Sequence, residues 1–212
     1  MSKLADLFKR CVNAPYNHVE NDGDYFYEVK DNTLYLYFQC SNGKEDWKNN
    51  LDFPAKPYSD MGVKWYCHRG FLRVWKSIKP YIKEAVADPR IKSICVVGYS
   101  HGAAIATLAH EYCWFNRPDI RDNIEGYGFG CPRCYWGFKV KKALKERWKN
   151  FYPVRNLNDI VTHVPPVIFG FRHVNKVKEL SCPELKTEHG HGQAIDAHYP
   201  DNYIYSLEQE TE

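Results

Sequence analysis

The chain of 212 residues is long enough for one ordinary domain that folds without disulfides or metals to hold it together. Hydrophobic residues make up 44% and charged residues 26%, a composition that excludes disordered, coiled-coil and collagen-like chains. The net charge of +3 gives no indication of a nucleic-acid partner. We therefore expect a single domain over residues 1–212.

The sequence also bears on location. No stretch approaches the roughly 20 apolar residues of a membrane span. The first residues carry charges and lack the apolar segment of a secretory signal. These observations predict a cytoplasmic protein whose eight cysteines stay reduced.

The first third of the chain predicts a helix and a hairpin. Within residues 1–16 the apolar side chains recur at the i, i+3, i+4 spacing of a short amphipathic helix. Residues 25–29 and 33–38 are β-branched and aromatic, and they flank a turn at 31–32, which predicts a hairpin. Residues 42–62 are polar and contain Gly and Pro, so we expect irregular or short helical structure there.

The remainder of the chain alternates between strand and helix patterns. Helices are predicted at 70–86, 101–115, 135–148 and 203–208, and strands at 91–97, 124–129, 151–156 and 171–180. Pro80 is expected to kink or divide the first of these helices. The alternation is typical of an α/β fold with a mostly parallel central sheet flanked by helices.

A G-x-S-x-G pentapeptide lies at residues 98–102, between a buried-strand pattern and an Ala-rich helix. In this position it predicts a nucleophile elbow, with Ser100 in a tight turn that glycines at 98 and 102 leave room for. The serine oxygen would then lie at a helix N-terminus, where backbone N–H groups stabilise negative charge. The alternative is a glycine-rich turn with an incidental serine.

A serine nucleophile needs a base and an acid that orients the base, in the chain order Ser, Asp, His for this kind of elbow. The downstream acids are Asp119, Asp122, Asp159, Asp196 and Asp201, and the downstream bases are His163, His173, His189, His191 and His198. Asp159 is favoured because it follows a predicted strand end at the sheet edge where the serine is expected. His198 is favoured because it is the last histidine and precedes the final helix.

Four further segments occur in order around the elbow. They are 38–53 (FQCS, DW and NLDF), 68–72 (HRGFL), 129–133 (FGCPR) and 156–166 (NLNDIV, then VPP). Together with the elbow they resemble the class 3 lipases, the fungal-lipase-like branch of the α/β-hydrolases. The resemblance covers residues from about 34 to 203 and implies an α/β-hydrolase fold and a serine ester hydrolase.

The resemblance implies a role for each matching residue. Ser100 would be the nucleophile, Asp159 the orienting acid and His198 the base, while Ser41 and the backbone N–H of His101 would form the oxyanion hole. No metal or cofactor is implied. The elbow reads GYSHGAA where the family commonly has GHSLGGA. We expect the His101 side chain to pack beside the elbow, with a contact to the substrate as the alternative.

The substrate class stays open at this point. In the family, the segment after the oxyanion residue forms a lid, and here residues 42–50 are short and polar. We therefore expect weak interfacial activation. A lipase acting on lipid or acyl esters is predicted, with a phospholipase A1, a short-chain esterase or a non-catalytic interaction module as alternatives. Peripheral contact with a lipid surface would be compatible with the Lys/Arg face predicted at 139–149, which is otherwise a solvated helix face.

The cysteines allow two other interpretations. Cys131 and Cys134 form a C-x-x-C between a strand and a helix, as in redox proteins. The same pair with Cys182, His189 and His191 could supply zinc ligands, although the second half of the set lacks a standard spacing. Both are weaker hypotheses than the hydrolase, because the C-x-x-C lies within the family's F-G-x-P-R turn.

Overall fold

The computed structural model describes residues 2–40, 54–182 and 184–210. Ser41, predicted to form part of the oxyanion hole, and residues 42–53 of the predicted lid region lie outside these ranges. Among the described residues, no helix has the length and apolar character needed to cross a bilayer.

Six α-helices and eleven strands lie in the described ranges. The helices are α1 (Lys3–Asn13), α2 (Arg69–Ala87), α3 (His101–Asn116), α4 (Lys142–Arg147), α5 (Gln193–Asp196) and α6 (Pro200–Gln209). The strands are β1 (Asn17–Val19), β2 (Gly23–Lys30), β3 (Thr33–Cys40), β4 (Ala55–Tyr58), β5 (Trp65–His68), β6 (Ser93–Tyr99), β7 (Ile124–Phe129), β8 (Tyr135–Trp136), β9 (Phe151–Arg155), β10 (Phe171–Arg172) and β11 (Lys178–Glu179).

The central sheet has the order β1-β2-β3-β6-β7-β9-β11 over the described residues. β1, β2 and β3 pair antiparallel, and every pair from β3 to β11 is parallel. Asp31 and Asn32 form the β2–β3 turn with positive φ angles of 49° and 60°, which suits a tight hairpin. The predicted hairpin and the mostly parallel sheet are therefore confirmed.

Helices cover both faces of this sheet because side chains alternate along its strands. Leu34, Leu36 and Phe38 face the core that contains α2 and α3. Tyr37, between them, faces a second core made with α1 and α6. α3 is buried along most of its length, whereas α2 buries one face only.

The first and last helices of the described chain contact each other on that second face. Phe8 of α1 packs against Tyr203 of α6, with ring centroids 5.4 Å apart. The Ser2 hydroxyl, which caps α1, donates to the Leu207 carbonyl at 3.1 Å. Phe8 also contacts the rings of Tyr99 and Phe129, at the ends of β6 and β7. The second core therefore reaches the carboxyl ends of the parallel strands.

The prediction of one helix over 135–148 is wrong in its first half. Residues Tyr135 and Trp136 form β8, which pairs with β5 and β10 in a small antiparallel sheet with the order β10-β8-β5-β4. Gly137 follows with φ +150°, and only Lys142–Arg147 is helical. Pairing with distant strands overrides the local helical pattern here.

Pro80 lies inside α2 and does not divide it, which leaves only the alternative of a kink. Three other expectations also need correction. The region 42–62, expected to be irregular or short helical, contains the strand β4, because these residues pair with the distant strand β5. The region 171–180 is not one strand but two, because β10 joins the small sheet and β11 the central one. The predicted Lys/Arg face is not fully solvated, since Arg147 is buried in an ion pair with Glu111 at 2.7 Å.

Candidate active site

The turn from β6 into α3 holds Ser100 in a strained conformation. Its φ of 56° and ψ of −128° lie in a region that residues with a Cβ rarely adopt. The flanking glycines make the turn sterically feasible. A Cβ at Gly98 would lie 2.3 Å from the Gly102 carbonyl oxygen, and a Cβ at Gly102 would lie 2.1 Å from that of Phe38. The glycine spacing therefore follows from backbone contacts within the elbow and with β3.

His198 lies between Ser100 and Asp159. Its Nε2 is 2.9 Å from the Ser100 hydroxyl, and its Nδ1 is 2.9 Å from Oδ2 of Asp159. The Asp159 carboxyl is fully buried, and the His198 side chain is 15% exposed. This geometry is that of a nucleophile, a base and an orienting acid.

Asp159 is fixed by two contacts besides His198. Its Oδ1 accepts the backbone N–H of Val161 at 2.9 Å, which caps the short 3₁₀ turn after β9. Its Oδ2 accepts the hydroxyl of Tyr203 at 2.6 Å. Burial raises the pKa of Tyr203 well above its usual value, so the phenol stays protonated and donates. These donors satisfy both carboxylate oxygens in a buried position.

The loop that carries His198 is held by contacts with the sheet edge. Tyr99 stacks on the imidazole with centroids 5.1 Å apart, and its hydroxyl donates to the His198 carbonyl. The Asn156 amide donates to the Ala197 carbonyl at 3.0 Å. Gly130 has φ +59°, and a Cβ there would lie 2.7 Å from Cε1 of His198. The imidazole therefore has little room to rotate away from Ser100.

A negative oxygen beside Ser100 would face the N-terminus of α3, which begins at His101. The backbone N–H of His101 is thus available as an oxyanion donor in the arrangement that the sequence predicts. The predicted second donor, Ser41, lies outside the described residues, so its placement stays a prediction. The end of β3, which leads towards residue 41, contacts the elbow at Gly102.

The family described as Lipase (class 3) matches residues 35–169 of the sequence. This chain belongs to the class 3 lipase family.

Relatives of this chain occur among fungal enzymes. The chain is 32% identical over 135 residues to the secreted mono- and diacylglycerol lipase 1 of Fusarium solani, covering 61% of this chain and 38% of that protein. It is 28% identical over 155 residues to a lipase of Rhizomucor miehei, covering 68% and 40%. The chain thus spans about 40% of the length of these curated relatives.

Solved structures support the α/β-hydrolase fold of this chain. The triacylglyceride lipase of Rhizomucor miehei superposes with a TM-score of 0.64 at 23% identity, covering 79% of this chain and 64% of that one. Lipase II from Rhizopus niveus superposes with a TM-score of 0.57 at 26% identity, covering 70% and 57%.

The expectation of a cytoplasmic location is contradicted by the relatives. The Fusarium solani protein and LIP2 of Malassezia restricta, which is 29% identical over 129 residues, are both named secreted lipases. Part of the expectation rested on the cysteines. Seven cysteines of the described chain are free and buried, and five of them pack in the two cores: Cys11, Cys67, Cys95, Cys113 and Cys134. Their free state therefore says nothing about the compartment.

Three of the other candidate acids make their contacts away from Ser100. Asp119 pairs with Arg117 at 2.8 Å, and Asp201 lies 3.1 Å from His189. Asp196 accepts backbone N–H groups from His189, Gly190 and His191. Asp196 and Asp201 organise the loop before His198, whereas Asp119 lies after α3, and none of the three is hydrogen-bonded to Ser100.

The redox and zinc interpretations find no support in the described residues. Burial raises the pKa of Cys131 to about 12 and that of Cys134 well above its usual value. Neither thiol is therefore a ready thiolate at neutral pH. Across residues 2–40, 54–182 and 184–210, no group of three or more His, Cys, Asp or Glu side chains is arranged to hold a metal ion.

Three positioning residues are not predicted from the sequence. Tyr99 occupies an unspecified position of the G-x-S-x-G pattern, although its ring and hydroxyl hold His198. Asn156 belongs to the N-x-x-D segment, so the family pattern could have identified it. Tyr203 carries no local signal, because its contact with Asp159 joins residues that are 44 positions apart.

Proposed function

We propose that this chain hydrolyses carboxylic esters of lipids through an acyl-enzyme formed on Ser100. The observation that carries the proposal is the pair of 2.9 Å contacts that join Ser100 to His198 and His198 to Asp159. Each member comes from a different part of the chain, and the three meet in the order that serine catalysis requires. Family membership supports the same chemistry.

In the proposed reaction, His198 Nε2 takes the hydroxyl proton as the Ser100 oxygen attacks the ester carbonyl. Asp159 holds Nδ1–H and stabilises the imidazolium that forms. The backbone N–H of His101 and, as predicted, Ser41 stabilise the oxyanion, each such donor contributing about 3 kcal/mol. The imidazolium then protonates the leaving alcohol. Water, activated by His198, cleaves the acyl-enzyme and restores Ser100.

Acyl esters of glycerol are the favoured substrate class. The Fusarium solani relative is named a mono- and diacylglycerol lipase, which supports an acylglycerol over a small ester. Because this chain spans only part of that relative, phospholipids and short-chain esters remain as alternatives for the assay to rank.

An exposed apolar patch near the Asp159 segment supports contact with a lipid surface. We define the patch as Trp136, Phe138 and residues 167–169. Phe138 is 89% and Ile168 87% exposed, which is unusual for large apolar side chains outside an interface. Trp136 donates its indole N–H to the Phe169 carbonyl at 2.9 Å, so the two segments adjoin.

The border of the patch carries positive charge. Arg172 lies 5.8 Å from the ring centroid of Phe138, and Lys139, Lys141 and Lys142 are exposed on the segment that follows. Apolar side chains beside lysine and arginine suit a surface that contains anionic lipids. We propose that this patch contacts the lipid aggregate from which the substrate is taken.

The hydrolase proposal is tested with a fluorophosphonate probe and a panel of p-nitrophenyl esters of different chain length. We expect the wild type to be labelled and to hydrolyse esters, and Ser100→Ala to lose both. Ser77→Ala, at a half-buried serine on α2, is the matched control and should behave like the wild type. An unlabelled wild type would refute the proposal.

The patch is tested by sedimentation with vesicles that contain anionic phospholipid. We expect Ile168→Asp to bind several-fold more weakly while it retains hydrolysis of a water-soluble ester. Val29→Asp is the control, since Val29 is 56% exposed on β2, outside the patch. Equal vesicle binding by wild type and Ile168→Asp would contradict a role for the patch.

A further inference from the structure

The imidazole of His101 is a buried polar group beside the proposed nucleophile. It is 4% exposed, and neither ring nitrogen has a hydrogen-bond partner among the residues that the structure describes. Its ring packs against Phe71 of α2, with centroids 4.8 Å apart. The contrast with His198 is clear, because both ring nitrogens of His198 are engaged.

Such an arrangement is unfavourable unless a ligand completes it. Buried polar side-chain atoms in folded proteins nearly always have a partner. An apolar residue in the same space would pack against Phe71 without leaving two polar atoms unmatched. The imidazole therefore leaves polar atoms that a group bound beside Ser100 can satisfy, which supports a role in binding.

The protonation state narrows the ligand chemistry. Burial, with smaller contributions from the nearby charges of His68 and Arg73, lowers the pKa of His101 to about 3. The ring is therefore neutral at neutral pH and offers one donor and one acceptor. A single group reaches only one of the two nitrogens, because they point to opposite sides of the ring. A hydroxyl group can accept from the N–H or donate to the other nitrogen, and it brings no charge into a buried position, whereas a carboxylate or an ammonium group does.

The position in the chain indicates that the ligand is the substrate. His101 follows Ser100 directly, and its own backbone N–H faces the site of the oxyanion. We propose that the His101 imidazole hydrogen-bonds a hydroxyl group of the substrate close to the scissile carbonyl and makes the enzyme select esters that carry one. This inference rests on the proposed function, because it assigns specificity to the same site.

Two parts of an ester can carry this hydroxyl. A hydroxy acid carries it on the acyl side, and a partial glyceride carries it on the alcohol side. One pair of soluble esters tests each source. Methyl 3-hydroxybutanoate with methyl butanoate tests the acyl side, and glycerol 1-monobutanoate with propyl butanoate tests the alcohol side. The ratio of kcat/KM within each pair reports the contribution of the hydroxyl alone.

The chain offers a matched control on the same helix. His110 is also fully buried, neither of its ring nitrogens has a partner among the described residues, burial lowers its pKa to about 3, and its ring packs against Phe151. The two histidines therefore differ in their place relative to Ser100. His110 lies nine residues further along α3, about 13 Å from His101 along the helix axis. His110→Leu therefore removes an equally buried neutral imidazole away from the elbow.

For wild type and His110→Leu we expect a kcat/KM ratio of about ten or more in favour of the hydroxylated member of at least one pair. For His101→Leu that ratio should fall to about one. His101→Asn keeps hydrogen-bonding atoms, so it should give an intermediate ratio. It replaces His101→Leu in the test if His101→Leu does not fold. Loss of packing alone would lower both members of a pair together and leave the ratio unchanged.

The outcomes separate this inference from the proposed function. Ester hydrolysis with equal wild-type rates within both pairs overturns the inference and leaves the proposed function standing. The same holds if His101→Leu, or His101→Asn in its place, keeps the wild-type ratio. A wild type that hydrolyses no ester and is not labelled at Ser100 refutes the proposed function, and the inference with it.

Discussion

The phenol of Tyr203 provides the most direct test of how the buried carboxylate is held. Tyr203→Phe removes one oxygen atom and leaves the ring in contact with Phe8 and Tyr99. That oxygen donates to Asp159 at 2.6 Å and accepts the backbone N–H of Asn156 at 3.1 Å. Tyr203 is fully buried, so solvent does not readily replace either bond.

The expected loss follows from these two bonds. A hydrogen bond to a charged group contributes about 1.5–3 kcal/mol, and a buried N–H left without its partner costs about 1–3 kcal/mol. Because the cavity left by one oxygen allows some relaxation, we expect a loss of about 3 kcal/mol in the free energy of unfolding. For a domain of this size that corresponds to a fall in Tm of roughly 6–12 °C.

Catalysis should also suffer, because Asp159 loses a donor that fixes its orientation towards His198. We expect kcat on a soluble ester to fall about tenfold with little change in KM. Thermal unfolding and steady-state kinetics measure the two effects. Tyr152→Phe, at a partly exposed ring on β9, is the control and should change stability by less than about 0.5 kcal/mol. A Tm for Tyr203→Phe within about 2 °C of the wild type would refute the reasoning.

Two further predictions concern the elbow and the core. Gly102→Ala would place a Cβ 2.1 Å from the Phe38 carbonyl oxygen. We therefore expect a loss of about 3 kcal/mol or more in the free energy of unfolding, and slow labelling by the fluorophosphonate probe. Labelling at the wild-type rate would contradict this prediction. Burial, only partly offset by Arg147, raises the pKa of Glu111 to about 7, so between pH 4.5 and 7 the folded state holds this proton more tightly than the unfolded chain. The contribution of Glu111 to stability is therefore present at low pH and decreases as the pH rises through this window. Chemical denaturation should show the stability of wild type relative to Glu111→Gln falling by about 1–3 kcal/mol from pH 4.5 to 7, and a constant difference would count against it.

The central sheet and the elbow are predicted from local patterns in the sequence. The strand at 124–129 was predicted with the bounds that the structure gives. Ser100 was identified from steric requirements, and the backbone contacts at Gly98 and Gly102 confirm those requirements. In both cases the residues that determine the local structure are nearly consecutive, so the sequence alone predicts that structure.

The small sheet and the residues that hold the candidate triad depend on contacts between distant parts of the chain. β8 contains two residues, and it is a strand because Tyr135 lies opposite Cys67 and Arg172. Its local pattern favours a helix, and no property of residues 135–136 reveals the partner. Tyr203 likewise acts through Asp159, and only the folded chain brings the two together.

The contact between α1 and α6 affects when the candidate site can form during synthesis of the chain. The ribosome synthesises Ser100 and Asp159 before His198 and Tyr203, so an incomplete chain carries the serine without its base. Phe8 of α1 contacts Tyr203 of α6, which is synthesised much later. The second core can close only after the segments that carry both rings have left the ribosome. The candidate triad is therefore completed only after residues 198–209 have been synthesised.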